Sequence, residues 1–254
     1  MKKNLKELFD LTGKIIVLTG SEGLLGQEYK DILQEAGAKV IGLDIKDTAD
    51  YIADISNESQ VMDTCNKIIE KYGKIDILIN NAIEPHTQDK GIIPLTDIPL
   101  EKWKRYLDVN LTGVFICCKI IGKQMEKQGF GNIINISSMY GIVGVDQRIY
   151  EGMTFNSPIS YAATKGAMIS MTRWLSSYWR EKGIRVNCLS PGGVNSTKRY
   201  KLSQKFIDNY SYRTILGRMA NEWDYRGAML FLCSDASEYM TGSNLIIDGG
   251  FTAI

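Results

Sequence analysis

The sequence predicts an α/β fold: one domain built on a doubly wound sheet of seven parallel strands flanked by helices. Three observations predict it. Short apolar runs alternate with longer segments of helical period along the 254 residues. Most of the runs are apolar throughout, as strands buried on both faces are. A helical segment separates most successive runs, which calls for right-handed crossovers and parallel pairing.

The elements follow in order. Residues 15–19 read as the first strand. Residues 24–36 read as a helix, with Gly37 suited to its C-terminal cap. Residues 39–44 form a second strand and 51–54 a short third. Residues 58–72 are helical and Gly73 closes them. Residues 75–80 read as the fourth strand. Residues 100–128 read as one long helix, with Gly129 and Gly131 after it. Residues 133–137 give the fifth strand, 159–181 a helix ended by Gly183, and 184–189 the sixth strand. A helix over 222–232 and a seventh strand over 244–247 complete the chain. This is a Rossmann-type order, in which ligands bind at the carboxyl ends of the strands.

Composition narrows the partners. The formal net charge is +1, so bulk charge recruits neither nucleic acid nor a membrane surface. No uncharged stretch reaches the roughly 18 residues of a membrane span, and no run after the first lysines resembles a signal peptide. Cys65, Cys117, Cys118, Cys188 and Cys233 make no CxxC pair, and there is one histidine, His86. Reduced thiols and a cytoplasmic location are expected, with no metal site. His86 reads as a loop residue near the cleft mouth.

The first strand runs into Thr19-Gly20-Ser21-Glu22-Gly23-Leu24-Leu25-Gly26 and then a helix. Such a turn lets the backbone approach a pyrophosphate, and the helix offers free N–H groups and its positive dipole end. Gly26 should let helix and strand pack closely. Asp44 closes the second strand. A carboxylate there accepts hydrogen bonds from the ribose hydroxyls of NAD and repels the 2′-phosphate of NADP. Glu22 adds to the repulsion, and Lys46 is the one nearby base that weakens it. NAD is therefore the expected cofactor, with NADP the alternative.

Further along, the residues resemble the classical short-chain dehydrogenase/reductase family over nearly the whole chain. Asp54 and Ile55 look like the family's adenine-contacting acid and its neighbour. Asn80-Asn81-Ala82 looks like the motif that supports the sheet and lines the cofactor cleft. Asn110, Ser138 and Tyr161-Ala162-Ala163-Thr164-Lys165 match its catalytic tetrad. Pro191-Gly192 and Asp248-Gly249-Gly250 match as well. The resemblance implies that Ile45, Val194 and Ser196 also contact the cofactor, with Thr197 a rival to Ser196. It also implies a homodimer or homotetramer, paired through the helices at 100–128 and 159–181.

The chemistry suits these residue types. A carbonyl being reduced needs a proton on oxygen, and a free tyrosine, with a pKa near ~10, exchanges one poorly at neutral pH. Tyr161 and Lys165 stand i, i+4 on one helix face, where the cation favours the phenolate. The lysine can also hold the nicotinamide ribose. Ser138 can hydrogen-bond the substrate oxygen. The resemblance gives Asn110 a water that relays protons to Lys165.

The sequence departs from the family pattern in three places. The glycines are spaced TGxxGxxG, where the classical family shows TGxxxGxG. Ser138 and Tyr161 lie 23 residues apart, farther than is usual, which marks residues 146–158 as an insertion. The threonine after Pro-Gly is replaced. Tyr140, Tyr150 and Ser138, with Arg199 from the basic run Lys198, Arg199, Lys201 and Lys205, are the candidate substrate contacts. Gly23-Leu24-Leu25-Gly26, Ile149-Tyr150-Glu151-Gly152 and Ser157-Pro158-Ile159-Ser160-Tyr161 together resemble dehydrogenases associated with flagellin and nonulosonic-sugar modification. The expected activity is hydride transfer between nicotinamide and a secondary alcohol or ketone of a sugar, polyol or related surface-sugar precursor. Two alternatives stay open: an NADPH-dependent 3-ketoacyl-thioester reductase, and a catalytically silent dinucleotide-binding sensor.

Overall fold

The computed structural model describes residues 3–85, 92–196 and 201–254. Seven parallel strands form one sheet in the order β3-β2-β1-β4-β5-β6-β7. They are β1 (Ile15–Thr19), β2 (Lys39–Asp44), β3 (Tyr51–Ile52), β4 (Ile77–Asn80), β5 (Gly131–Ile136), β6 (Ile184–Pro191) and β7 (Asn244–Ile247). The order reverses direction between β1 and β4, which opens a crevice at their carboxyl ends.

Each central strand feeds two cores. Ile15 and Val17 of β1 point to one face with Ile41 and Leu43, and Ile16 and Leu18 point to the other with Val40. Each such fully buried side chain contributes about 1.5–3 kcal/mol on leaving water. The first face is covered by α3 (Glu58–Tyr72), α5 (Val114–Gln128) and α6 (Ile159–Tyr178). The second is covered by α2 (Leu24–Glu35) and α8 (Arg226–Cys233). Among the described residues, no helix is long and apolar enough to cross a membrane. All five cysteines are buried and free.

The expected elements are present, with adjusted ends. Strand β4 begins at Ile77, and the Ile75 N–H donates to the Gln128 side chain (3.0 Å). Gly73 and Gly129 close their helices in the left-handed conformation, as the sequence predicts. The long helix predicted over 100–128 is three pieces: α4 (Leu100–Leu107), a π-helical turn (Asp108–Gly113) and α5. The π turn carries Asn110, and such turns gather at functional sites. Helix α6 stops at Tyr178, and Glu181 beyond it holds a left-handed φ of 64°. The segment predicted as a helix over 222–232 begins as a 3-10 turn (Glu222–Tyr225). Two helices were not legible in the sequence: α1 (Leu5–Phe9) and α7 (Gln204–Tyr212). Asn4 caps α1 with a reciprocal Glu7 capping box, and Ser203 caps α7.

Candidate active site

The turn after β1 is built so that only glycine fits. A Cβ on Gly20 would lie 2.7 Å from the Ala82 Cα, and one on Gly26 would lie 2.1 Å from the Gly20 carbonyl oxygen. Gly20 also holds a φ of 66°. Asn81 secures the turn, its Nδ2 donating to the carbonyls of Thr19 (3.1 Å) and Gly20 (3.0 Å). Thr19 Oγ1 in turn accepts the Asn81 and Ala82 N–H groups. Helix α2 is preceded by Gly23 as its N-cap, which offers no side-chain hydrogen bond. Its first N–H groups, with no partner inside the helix, suit an anion. These features fit a dinucleotide pyrophosphate. Leu25 helps to pack α2 onto the second core, and Leu24 stands half-buried at its start.

Asp44 ends β2 beside this turn. Its carboxylate accepts the Glu22 N–H (3.0 Å) and the Lys46 N–H (3.2 Å). The Lys46 ammonium donates to the Glu22 carbonyl (3.0 Å). The Glu22 carboxylate takes the hydroxyls of Ser21 (3.3 Å) and Thr48 (3.1 Å). Next to it, Ile45 is 64% exposed, an apolar shelf at the crevice rim. Asp54 lies on the same side. Partial burial opposes its charge, but hydrogen bonds from Ser56 and the nearby Arg105 guanidinium keep its pKa below the usual carboxylate range. The Ile55 side chain does not join this site. It is 3% exposed and packs into the core against Gly113, where a Cβ would approach it to 2.7 Å.

The four expected catalytic side chains come together from three elements. Ser138 follows β5 in extended backbone, its hydroxyl accepting the Tyr140 N–H (3.2 Å). Tyr161 lies on the first turn of α6, half-buried. Burial raises its pKa above the ordinary tyrosine value, and a hydrogen bond with Ser138 works against that rise. Lys165 lies one turn on, with Nζ 5.6 Å from the Tyr161 ring centre and donating to the Ile136 carbonyl (2.6 Å). Burial lowers its pKa to about 8. Asn110 is held on both sides: its Oδ1 accepts the Glu84 N–H (2.7 Å) and its Nδ2 donates to Thr164 (3.4 Å). Beneath the site a buried chain runs from Asn80 to Asn135 (2.8 Å) and on to Thr172 (2.9 Å). Such a chain fixes the strands under the reacting groups.

A glycine turn, a strand-end carboxylate and a converged Asn-Ser-Tyr-Lys set are a specific combination. A family model described as enoyl-(acyl carrier protein) reductase matches residues 7–252. The 3-oxoacyl-(acyl-carrier-protein) reductase FabG of Thermotoga maritima is 32% identical, covering 94% of this chain and 98% of that protein. The NAD-dependent glycerol dehydrogenase of Listeria innocua is 31% identical, covering 96% of each. This chain belongs to the classical short-chain dehydrogenase/reductase family. A crystal structure of a short-chain dehydrogenase from Leptospira borgpetersenii with bound NAD+ superposes with a TM-score of 0.86 at 36% identity, covering 99% of this chain and 97% of that one. The protein is an NAD(P)-dependent oxidoreductase of this family.

The short-chain dehydrogenase loop after β6 corrects one expectation. Ser196 is 0% exposed, and its hydroxyl donates to the buried Glu222 carboxylate (2.6 Å). Its side chain supports the loop and is not presented to the crevice. Pro191, Gly192 and Val194 do stand at the strand end. The Gly192 N–H donates to Ile247 (2.9 Å), its carbonyl accepts Tyr225 (3.0 Å), and Val194 bridges to Ala220. Thr197, Lys198 and Arg199 lie outside the described residues, as does His86.

The inserted segment folds against the substrate side. Ile149 and Tyr150 are buried with Met139, Tyr140, Phe206, Tyr210, Met219 and Phe251. The hydroxyls of Tyr140 and Tyr150 lie 3.2 Å apart. Phe155 and Phe206 meet Tyr150 at ring separations of 5.9 and 5.5 Å. Polar contacts join the same pieces. Asp146 pairs with Arg148 (2.7 Å) and Arg213 (3.1 Å), and Asn209 donates to the Ile149 carbonyl (3.2 Å). The insertion thus anchors α7. Sequence reasoning missed Asn81 as the lock of the glycine turn and Arg105 as the base beside Asp54. Both depend on tertiary contacts with no local spacing signal.

Proposed function

We propose that the enzyme prefers NAD and transfers a hydride between nicotinamide and a secondary alcohol or ketone of a polyol, sugar or related surface-sugar precursor. The observation that carries the cofactor preference is Asp44, a carboxylate at the end of β2 with Glu22 beside it and Lys46 spent on a backbone carbonyl. A 2′-phosphate would meet two carboxylates there. The glycine turn would hold the pyrophosphate, Asp44, Ile45 and Asp54 the adenosine half, and Asn81, Ala82, Pro191, Gly192 and Val194 the nicotinamide half. Tyr161 and Lys165 also border the nicotinamide ribose.

When bound, the nicotinamide supplies or accepts the hydride. Tyr161 gives a proton to the substrate oxygen during reduction and takes it back during oxidation. Ser138 hydrogen-bonds the same oxygen and steadies its developing charge. Lys165, protonated below about pH 8, favours the phenolate of Tyr161. Asn110 braces α6 through Thr164 and is the expected site of the proton-relay water. Tyr140 and Tyr150 present a polar, aromatic wall, which suits hydroxylated substrates. Arg199 is proposed as a further substrate contact from its sequence position alone. Phe115, Trp174 and Tyr178 stand exposed on α5 and α6, with the last two stacked at 5.2 Å. We place the pairing of two or four copies on these helices. The five buried thiols suit the cytoplasm.

The second reading, an NADPH-dependent 3-ketoacyl-thioester reductase, draws on the Thermotoga relative and on Lys46 at the adenosine end. Titration of NADH and NADPH into the wild-type protein and Asp44→Ala separates the two. The expected result is tighter NADH binding in the wild type, with the preference narrowed at least about 10-fold in the variant. Tighter NADPH binding in the wild type would favour the second reading.

A further inference from the structure

Tyr210 lies on the second turn of α7. It is 3% exposed. Its hydroxyl oxygen accepts the N–H of Gly193, in the loop that follows Pro191-Gly192. The same hydroxyl donates to the Met139 sulfur (3.1 Å), one residue beyond Ser138. Its ring packs on Phe206 and Phe251 at 6.2 and 5.3 Å. Gly193 is glycine for this reason: a Cβ there would lie 2.7 Å from two Tyr210 ring carbons. Tyr210 therefore touches the cofactor loop, the Ser138 turn and the substrate-side cluster at once.

We propose that Tyr210 is a positioning residue that holds the Gly193 loop in the shape the nicotinamide half requires. The inference rests on the cofactor reading above. Neighbouring backbone groups of this loop already have partners: the Gly192 N–H with Ile247, the Gly193 carbonyl with Ala220, and the Asn195 N–H with Ala220. The Gly193 N–H is the one held by a side chain from the substrate side. Without the hydroxyl, the loop of the free enzyme relaxes to give this N–H to water. Cofactor binding must then restore the loop with a buried donor unsatisfied, and the cost appears in affinity.

The test is Tyr210→Phe, which keeps the ring and removes only the hydroxyl. NADH affinity is measured by fluorescence titration, and KM and kcat are measured with both substrates varied. The expected result is a rise of about 5- to 50-fold in the NADH dissociation constant and the cofactor KM. Substrate KM and the kcat at saturating cofactor should stay within about 3-fold, since the ring packing remains. Gly193→Ala, which drives a methyl into the Tyr210 ring, should weaken NADH binding in the same way. Tyr212→Phe, a change at an 89% exposed tyrosine of the same helix, should change nothing. Unchanged NADH affinity in Tyr210→Phe, or an equal loss in Tyr212→Phe, would overturn the role of Tyr210. A wild-type protein that binds neither NADH nor NADPH would instead overturn the cofactor reading.

Discussion

The two ends of the crevice are built by different means. The cofactor end is made of backbone and missing side chains: Gly20, Gly23 and Gly26, each backed by a main-chain atom closer than 3 Å to where a Cβ would stand. The substrate end is made of large side chains: Tyr140, Tyr150, Phe206, Tyr210 and Phe251, joined by the insertion and α7. A binding surface made of backbone has few acceptable sequences, because any added atom collides. A surface made of aromatic rings has many, because each ring can trade volume with its neighbours. The first therefore holds one ligand class, and the second is where substrate choice can change.

The largest test of this contrast is Gly26→Ala. The new methyl would overlap the Gly20 carbonyl, so the turn must open and the pyrophosphate site is lost. NADH affinity should fall at least about 100-fold by fluorescence titration. A variant that still binds NADH tightly would show that the turn is softer than its geometry. A smaller effect, confined to the other end, is expected from Asp146→Asn. It weakens the pair with Arg213 that ties the insertion to the end of α7, and the pair with Arg148 within the insertion. Because these groups are partly exposed, substrate KM should rise only about 3- to 10-fold, with NADH affinity unchanged. A matching loss of NADH affinity would mean that the two ends are not independent.

The same contrast explains what could be read from the chain. Strand β1 and its glycine turn were legible to the residue, because an apolar run followed by fixed glycines is a local pattern. Tyr161 and Lys165 were legible because one helical turn sets their spacing. The π turn around Asn110 is not legible, because helix runs on both sides of Asp108–Gly113 and no spacing signal marks the wider turn. The motif positions of Ile55 and Ser196 imply cofactor contacts, yet both side chains turn into the protein. Ile55 fills the space over Gly113, and Ser196 is drawn to the buried Glu222. Tyr210 carries no sequence signal, since its partners Met139, Gly193 and Phe251 are brought to it only by the fold.

The central claim is that Tyr161 handles the proton in a site where most of the hold on the cofactor comes from other groups. The direct measurement compares wild type and Tyr161→Phe in NADH binding and in turnover of the best substrate from a panel of polyols and keto-sugars. The account predicts that turnover falls at least about 100-fold while NADH affinity stays within about 3-fold. A variant that turns over at the wild-type rate would contradict it.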